Sequence, residues 1–355
     1  MQTITPGDAG ALDGSSGSDD LRQTPLSPGL DTSIGSLPHR DPAAAVDFVL
    51  ARQRRLPAAP SLPQRSPLES MVAQAAWGVP GVVVAEDGSL DLHLDRLDPT
   101  AGLVDPHLEG EPFRTIRVFL DTVRGRTDPI KLQLTGPVTL GLALHAAGAD
   151  AGRAFAVAGT AVRTRAAGLL ALAAELAPGT PLVVFLDEPG LTGLMHPEFP
   201  LDPESAIDLT SGALAVLERG ALTGLHCCGP TDWKLVIQAG PDILSAPLGC
   251  GLEAVPEALD RFLERGGRVA WGAIPTDEPI GSTPGRLWRQ LSATWCTLVQ
   301  GGCDPVTLRL QSLVTPACGL ATHGVSQADR VMTLTRQVAA RVHDQALGVR
   351  LSVGA

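Results

Sequence analysis

Tyrosine is absent from this chain of 355 residues, and aromatic residues make up only 3% of it. In an Ala-, Val-, Leu- and Arg-rich composition that absence reads as genomic bias and excludes no function. Other shortages say more. No Lys/Arg cluster offsets the net charge of −11, which argues against a nucleic-acid surface. Cysteine is sparse, with six residues at 227, 228, 250, 296, 303 and 318. So few and so scattered, they exclude a disulfide framework and point to a reducing compartment. The opening "MQTITPGDAGALDGSSGSDD" has neither the basic nor the apolar region of a secretion signal. No uninterrupted apolar stretch reaches the length that spans a bilayer. The expectation is a cytoplasmic protein with no membrane and no nucleic-acid partner.

What is present is core-rich: 44% hydrophobic and 18% charged. Residues 1–30 are rich in Gly, Ser, Asp and Pro and read as a disordered tail. From residue 31 strand-like and helix-like patterns alternate almost to the end. The strand candidates are 31–37, 57–62, 130–137, 182–190, 222–230, 242–248, 269–276 and 312–320. Helix patterns lie between them, including "DPAAAVDFVLARQ", "DPESAIDLTSGALAVLE" and "SQADRVMTLTRQVAARVH", which open on good capping and first-turn residues. Continuous apolar strands separated by helices predict a parallel sheet covered on both faces. Eight of them predict an α/β fold, a single-domain (β/α)8 TIM barrel over residues 31–350. The stretch 79–94 reads as a β-hairpin inserted after the second strand, turning at Asp87-Gly88.

A barrel places chemistry at the C-terminal ends of its strands, and metal-binding residue types collect there. In "LTGLHCCGP" (222–230) alternation on a strand turns His226 and Cys228 one way and Cys227 the other. His-x-Cys offers two ligands, and Cys318 ends the eighth strand on the same rim. Two thiolates and an imidazole are a soft set that prefers zinc. With an open position such a site lowers the pKa of a substrate thiol, which suits a thiol for accepting a methyl group. Cys227 reads as core, as does Cys296 on an amphipathic helix. Asp187 and Glu188, at the end of strand four, read either as helix-capping or as functional.

These residues carry a family resemblance. "TSIGSLPH" (32–39), "KLQLTGPVTL" (131–140), "FLDEPGL" (185–191), "HCC" (226–228) and "TPACGLATHG" (315–324) resemble, in order, motifs of the catalytic C-terminal barrel of cobalamin-independent methionine synthase. The resemblance spans about residues 31–347. It implies a zinc-dependent S-methyltransferase of the 5-methyltetrahydropteroyltriglutamate–homocysteine type, with zinc on His226, Cys228 and Cys318. It further implies that Ile34, Gly35 and Ser36 hold homocysteine through backbone groups and that Asp187 binds its ammonium.

The chain also departs from the pattern. Pro247 stands where the family has a glutamate ligand, leaving Cys250, Glu253 or water for the fourth position. Ala143 replaces the tryptophan that stacks on folate, and Gly193 an acidic residue. Thr276 and Asp277 replace the proton-donating histidine, so Asp277 and Glu188 are the candidate catalytic groups. Methyl transfer from a corrinoid protein or another small donor is the alternative within the enzyme class. The related barrel of uroporphyrinogen decarboxylase needs an Arg cluster that this mouth lacks. Outside enzymes stands a degenerate barrel that binds a metabolite without turnover.

Overall fold

The computed structural model describes residues 26–277 and 283–353. Six parallel strands form one curled sheet in sequence order: β3 (Ile130–Thr135), β4 (Leu182–Asp187), β5 (Leu222–His226), β6 (Ile243–Pro247), β7 (Arg268–Ile274) and β8 (Ser312–Pro316). Almost every position along them is buried, as strands covered on both faces require. The expected hairpin is present: β1 (Val82–Val84) pairs antiparallel with β2 (Leu90–Leu92), and Gly88 takes a positive φ of 83° at its turn.

The first two expected strands are not regular strands. Residues 31–36 and 58–61 run between β8 and β3 joined by single parallel bridges: Asp31 to Val314, Ser36 to Ser61 and Ala58 to Lys131. The physical reason is local. Pro57, Pro60 and Pro63 remove amide donors from the second segment. The first segment turns at Gly35, whose φ is 137°. The sheet is therefore a curled arc of six regular strands with two irregular segments along its opening, rather than eight regular strands.

Helices cover the arc, and their starts follow the capping pattern read from the sequence. Asp41 caps α1 (Pro42–Arg52) by accepting from the Ala44 amide at 2.8 Å. The outer layer continues with α2 (Met71–Ala76), α3 (Arg114–Thr122), α4 (Pro137–Ala146), α5 (Ala151–Leu176) and α6 (Pro203–Leu217). It closes with α7 (Trp233–Gln238), α8 (Pro256–Glu264), α9 (Pro284–Gln300), α10 (Pro305–Leu310) and α11 (Val325–Val353). One of these bears on the expectation that no uninterrupted apolar stretch spans a bilayer. Helix α5 is long and apolar enough to cross a bilayer, with mean hydropathy 1.2, yet 56% of that window is buried inside the protein. Its buried Arg165 donates to the carbonyls of Trp77 and Asp105, as in a packing helix.

Inside the arc, Leu26, Leu30, Leu56, Val183, Phe185, Leu222, Ile243, Ala270 and Leu313 form a separate apolar cluster, mostly from the early residues of the strands. This also moves the expected tail boundary. Residues 1–25 of the 1–30 tail lie outside the described residues, while Leu26 and Leu30 are buried in that cluster. The cluster fills the N-terminal end of the arc and leaves space at the strands' C-terminal ends.

Candidate metal centre

Strand β5 ends on His226, in register with Asp187 of β4 and Ser245 of β6. The imidazole is 3% exposed, and its Nδ1 lies 3.0 Å from the Ser245 hydroxyl. Its Nε2 is buried without any hydrogen-bond partner. Cys228 follows two residues later, and Cys318 lies two residues past the end of β8. The ligating atoms of His226, Cys228 and Cys318 all fall within 4.8 Å of one another. Strand register thus brings together residues some ninety positions apart.

The two thiols are electrostatically unlike. A hydrogen bond from Cys228, and then the neighbouring His226, lower the Cys318 thiol below its ordinary value. The same bond, followed by burial, raises Cys228. One thiolate is thus already favoured, and a cation would displace the remaining proton. An orphaned imidazole nitrogen beside two thiols fits a soft divalent ion, zinc above all, and Ser245 would orient the ring from behind. With three protein ligands facing a cavity, the set resembles catalytic rather than closed structural sites.

That cavity holds about 390 Å³ and is lined by Ile34, Ser36, Met71, Gln133, Leu134 and Asp187 as well as by His226, Cys228 and Cys318. Asp187 presents a buried Oδ1 with no partner. Burial raises its pKa, against the lowering pull of Lys131 and His226. Gly35 lies in the left-handed region, and a Cβ there would meet Gln133 Nε2 at 2.3 Å, so the turn of "TSIGS" needs glycine. Each carbonyl of the expected backbone clamp is already engaged: Ile34 by Lys131 Nζ at 2.9 Å, Gly35 by the Ser61 amide at 3.3 Å and Ser36 by the Leu320 amide at 2.9 Å.

Four expected residues do not join the site. Glu188 points to the opposite face from Asp187. Its carboxylate accepts from the Val138 amide, the Thr139 amide and the Thr139 hydroxyl at 2.8, 2.8 and 2.6 Å, capping α4. Gly136 makes room, since a Cβ there would lie 2.2 Å from that carboxyl. Cys250 lies outside the cluster, and burial pushes its thiol up to about 12. Its carbonyl is held by Trp233 Nε1 at 2.9 Å. Glu253 sits in a short 3-10 turn, Leu252–Ala254, and neither it nor Cys250 belongs to the three-residue cluster. Asp277 is exposed three residues beyond β7 and does not line the cavity. Cys227 is fully buried against Thr192, with Sγ 3.7 Å from its hydroxyl.

Sequence reasoning passed over Lys131 and Ser245, and named Glu69 only as a nearby substitute for a substrate-binding carboxylate. Lys131 is 1% exposed inside the arc, and burial lowers its pKa to about 8. Glu69 lines the cavity but is saturated by Arg65, Thr115 and the Leu62 amide. A charged residue within the apolar run "IKLQLT" was the available signal for Lys131.

No protein-family model matches the sequence, and no curated protein matches it. The fold does have a solved counterpart. A provisionally assigned vitamin-B12 independent methionine synthase from Listeria monocytogenes superposes with a TM-score of 0.53 at 13% identity, over 86% of each chain. At that identity the likeness is one of fold. The carboxyl transferase domain of Rhizobium etli pyruvate carboxylase also aligns, at 14% identity over 92% of this chain and 53% of that one. Its TM-score of 0.22 is too low to bear on the architecture.

Proposed function

We propose that the chain is a zinc-dependent S-methyltransferase that methylates a small amino-thiol, homocysteine by preference, in a single barrel domain spanning about residues 31–350. In this reading the segments at 31–36 and 58–61 stand as the first two strands of a (β/α)8 barrel. The observation that carries it is the cluster of His226, Cys228 and Cys318 within 4.8 Å, with an unpartnered imidazole nitrogen, at one wall of a cavity. The solved methionine-synthase-like fold supports it.

Zinc held by these three residues would keep a substrate thiol deprotonated near neutral pH and so make it a nucleophile. The chain's own groups do the rest. Asp187, with Oδ1 unpartnered in the cavity, receives the substrate ammonium. The Ser245 hydroxyl, 3.0 Å from Nδ1, can accept its proton and so leave Nε2 free for a metal. Ile34, Leu134 and Met71 exclude water around the thiol chain.

The donor side favours a second reading within the same class. Among the described residues no Phe or Trp lines the cavity. Trp271 is buried against Ser312, its Nε1 2.8 Å from the hydroxyl, and Trp77 lines no part of the cavity. An aromatic platform for a pterin contributes about 1 kcal/mol beyond its buried area. A corrinoid protein or another small methyl donor therefore fits this mouth better than methyltetrahydropteroyltriglutamate. Metal analysis of the purified chain, followed by methionine formation from homocysteine with each donor, tests the proposal. About one zinc per chain and turnover with any donor would support it. Zinc without turnover from any donor would favour a metabolite-binding barrel, and absence of zinc binding would end both readings.

A further inference from the structure

The chain contains 27 lysines and arginines, and only Lys131 and Lys234 are lysines. Arginine serves nearly every surface cation, so a lysine inside the arc answers a local demand. Lys131 is 1% exposed. Its Nζ donates to the Ile34 carbonyl at 2.9 Å and to Gln133 Oε1 at 3.3 Å, and lies 4.7 Å from the centroid of the Phe185 ring. No carboxylate among the described residues approaches it within 4.0 Å, the limit for an ion pair. A compact ammonium serves two carbonyl-type acceptors and a ring face at once, where a planar guanidinium would need more room. A charge buried this way is costly, and methionine would fill similar volume without that cost.

The need lies in the neighbouring segments. Ile34 and Ser36 of the 31–36 segment line the cavity, yet no regular ladder ties that segment to the sheet: isolated bridges pair Asp31 with Val314 and Ser36 with Ser61, and the Leu320 amide holds the Ser36 carbonyl at 2.9 Å. The 58–61 segment lies between it and β3. Strand β3 reaches both from the inside: Lys131 binds the Ile34 carbonyl, and Gln133 Nε2 binds the Ala59 carbonyl at 2.7 Å. Lys131 also orders Gln133 by donating to its other amide atom. These side chains replace a ladder that proline and glycine interrupt.

We infer that Lys131 is a positioning residue whose ammonium latches the Ile34–Ser36 strap to β3, and so holds this wall of the cavity in its binding geometry. The consequence for thiol binding rests on the reading of the cavity given above; the latch itself does not.

The test compares the full-length chain with Lys131→Met. Hydrogen exchange of the amides at 33–37 should accelerate at least about tenfold, the scale of one charged hydrogen bond, while amides of β4 and β5 keep their wild-type protection. Calorimetry of the zinc-loaded proteins should show homocysteine affinity falling about tenfold with zinc content unchanged. If the methionine variant does not fold, Lys131→Gln, which removes the charge and keeps a donor, carries the same comparison. Unchanged strap exchange, or an equal rise across the whole sheet, would overturn the latch. A wild-type protein that binds no homocysteine would remove the proposed function, while the exchange arm would still decide the latch.

Discussion

Two faces of the same strand ends carry nearly the same residue types and do opposite things. On the inner face stand Asp187, His226 and Cys228; on the outer face, one position along, stand Glu188 and Cys227. The inner polar atoms are left open: Asp187 Oδ1 and His226 Nε2 are buried without partners. The outer ones are occupied: Glu188 accepts three hydrogen bonds, and Cys227 packs beside Thr192. A buried polar atom without a partner is expensive, and two of them side by side on the inner face support the ligand site proposed above. Saturation on the other face marks structure.

The sharpest way to break this contrast is to remove inner ligands. Cys228→Ser and Cys318→Ser should each reduce zinc from about one per chain to below about a tenth, because soft thiolates dominate the donor set. Elemental analysis after dialysis against a mild chelator reads this directly, and full zinc in both variants would dissolve the distinction between the faces.

The outer carboxylate should instead report on stability. Burial raises the Glu188 pKa to about 7 from an ordinary 4.5. The folded state therefore binds more protons than the unfolded one between those values. Stability contributed by protonated Glu188 is present below about pH 4.5 and declines as pH rises toward 7, by up to about 3 kcal/mol. In Glu188→Gln that component of the pH dependence should vanish while zinc content stays whole. Denaturant melts at pH 5 and pH 7 decide it; identical pH profiles for the two proteins would show that the carboxyl does not titrate there.

Next in size is the inner carboxylate. Asp187→Asn should weaken homocysteine by about 1.5–3 kcal/mol, roughly ten- to a hundredfold, through loss of one charged hydrogen bond. A thiol of the same length without an amino group should lose little. Equal losses for both ligands would mean that Asp187 serves the cavity's shape and not the ammonium.

The smallest effects belong to the outer thiols. Cys227→Ala and Cys250→Ala should leave zinc intact and each cost about 1 kcal/mol of packing. A zinc deficit in either would place a fourth ligand where the cluster has none, and an empty Cys227→Ala beside a loaded Cys228→Ala would reverse the strand register.

Much of this was legible in the chain. Period-two alternation alone separates His226 and Cys228 from Cys227, and that separation holds in the structure. The hairpin at Asp87-Gly88 and the Asp-Pro helix starts are local signals, and they hold as well. What local signals missed lies in long-range partners. Cys250 and Glu253 follow the strand that ends in Pro247, but neither joins the cluster of His226, Cys228 and Cys318. Asp187 and Glu188 look equivalent in "LDEPG", and only the amides of the neighbouring helix α4 make one of them a cap.

The sequence by itself determined the parallel α/β alternation and the inner and outer faces of each strand, His226 and Cys228 against Cys227 among them, because these depend on residue spacing of two to four. Tertiary structure alone decided which donors meet, how the first two segments attach and where the buried ammonium of Lys131 goes. Those depend on contacts between positions as far apart as Asp31 and Val314, whose register is set by packing of the whole arc and leaves no periodic trace along the chain.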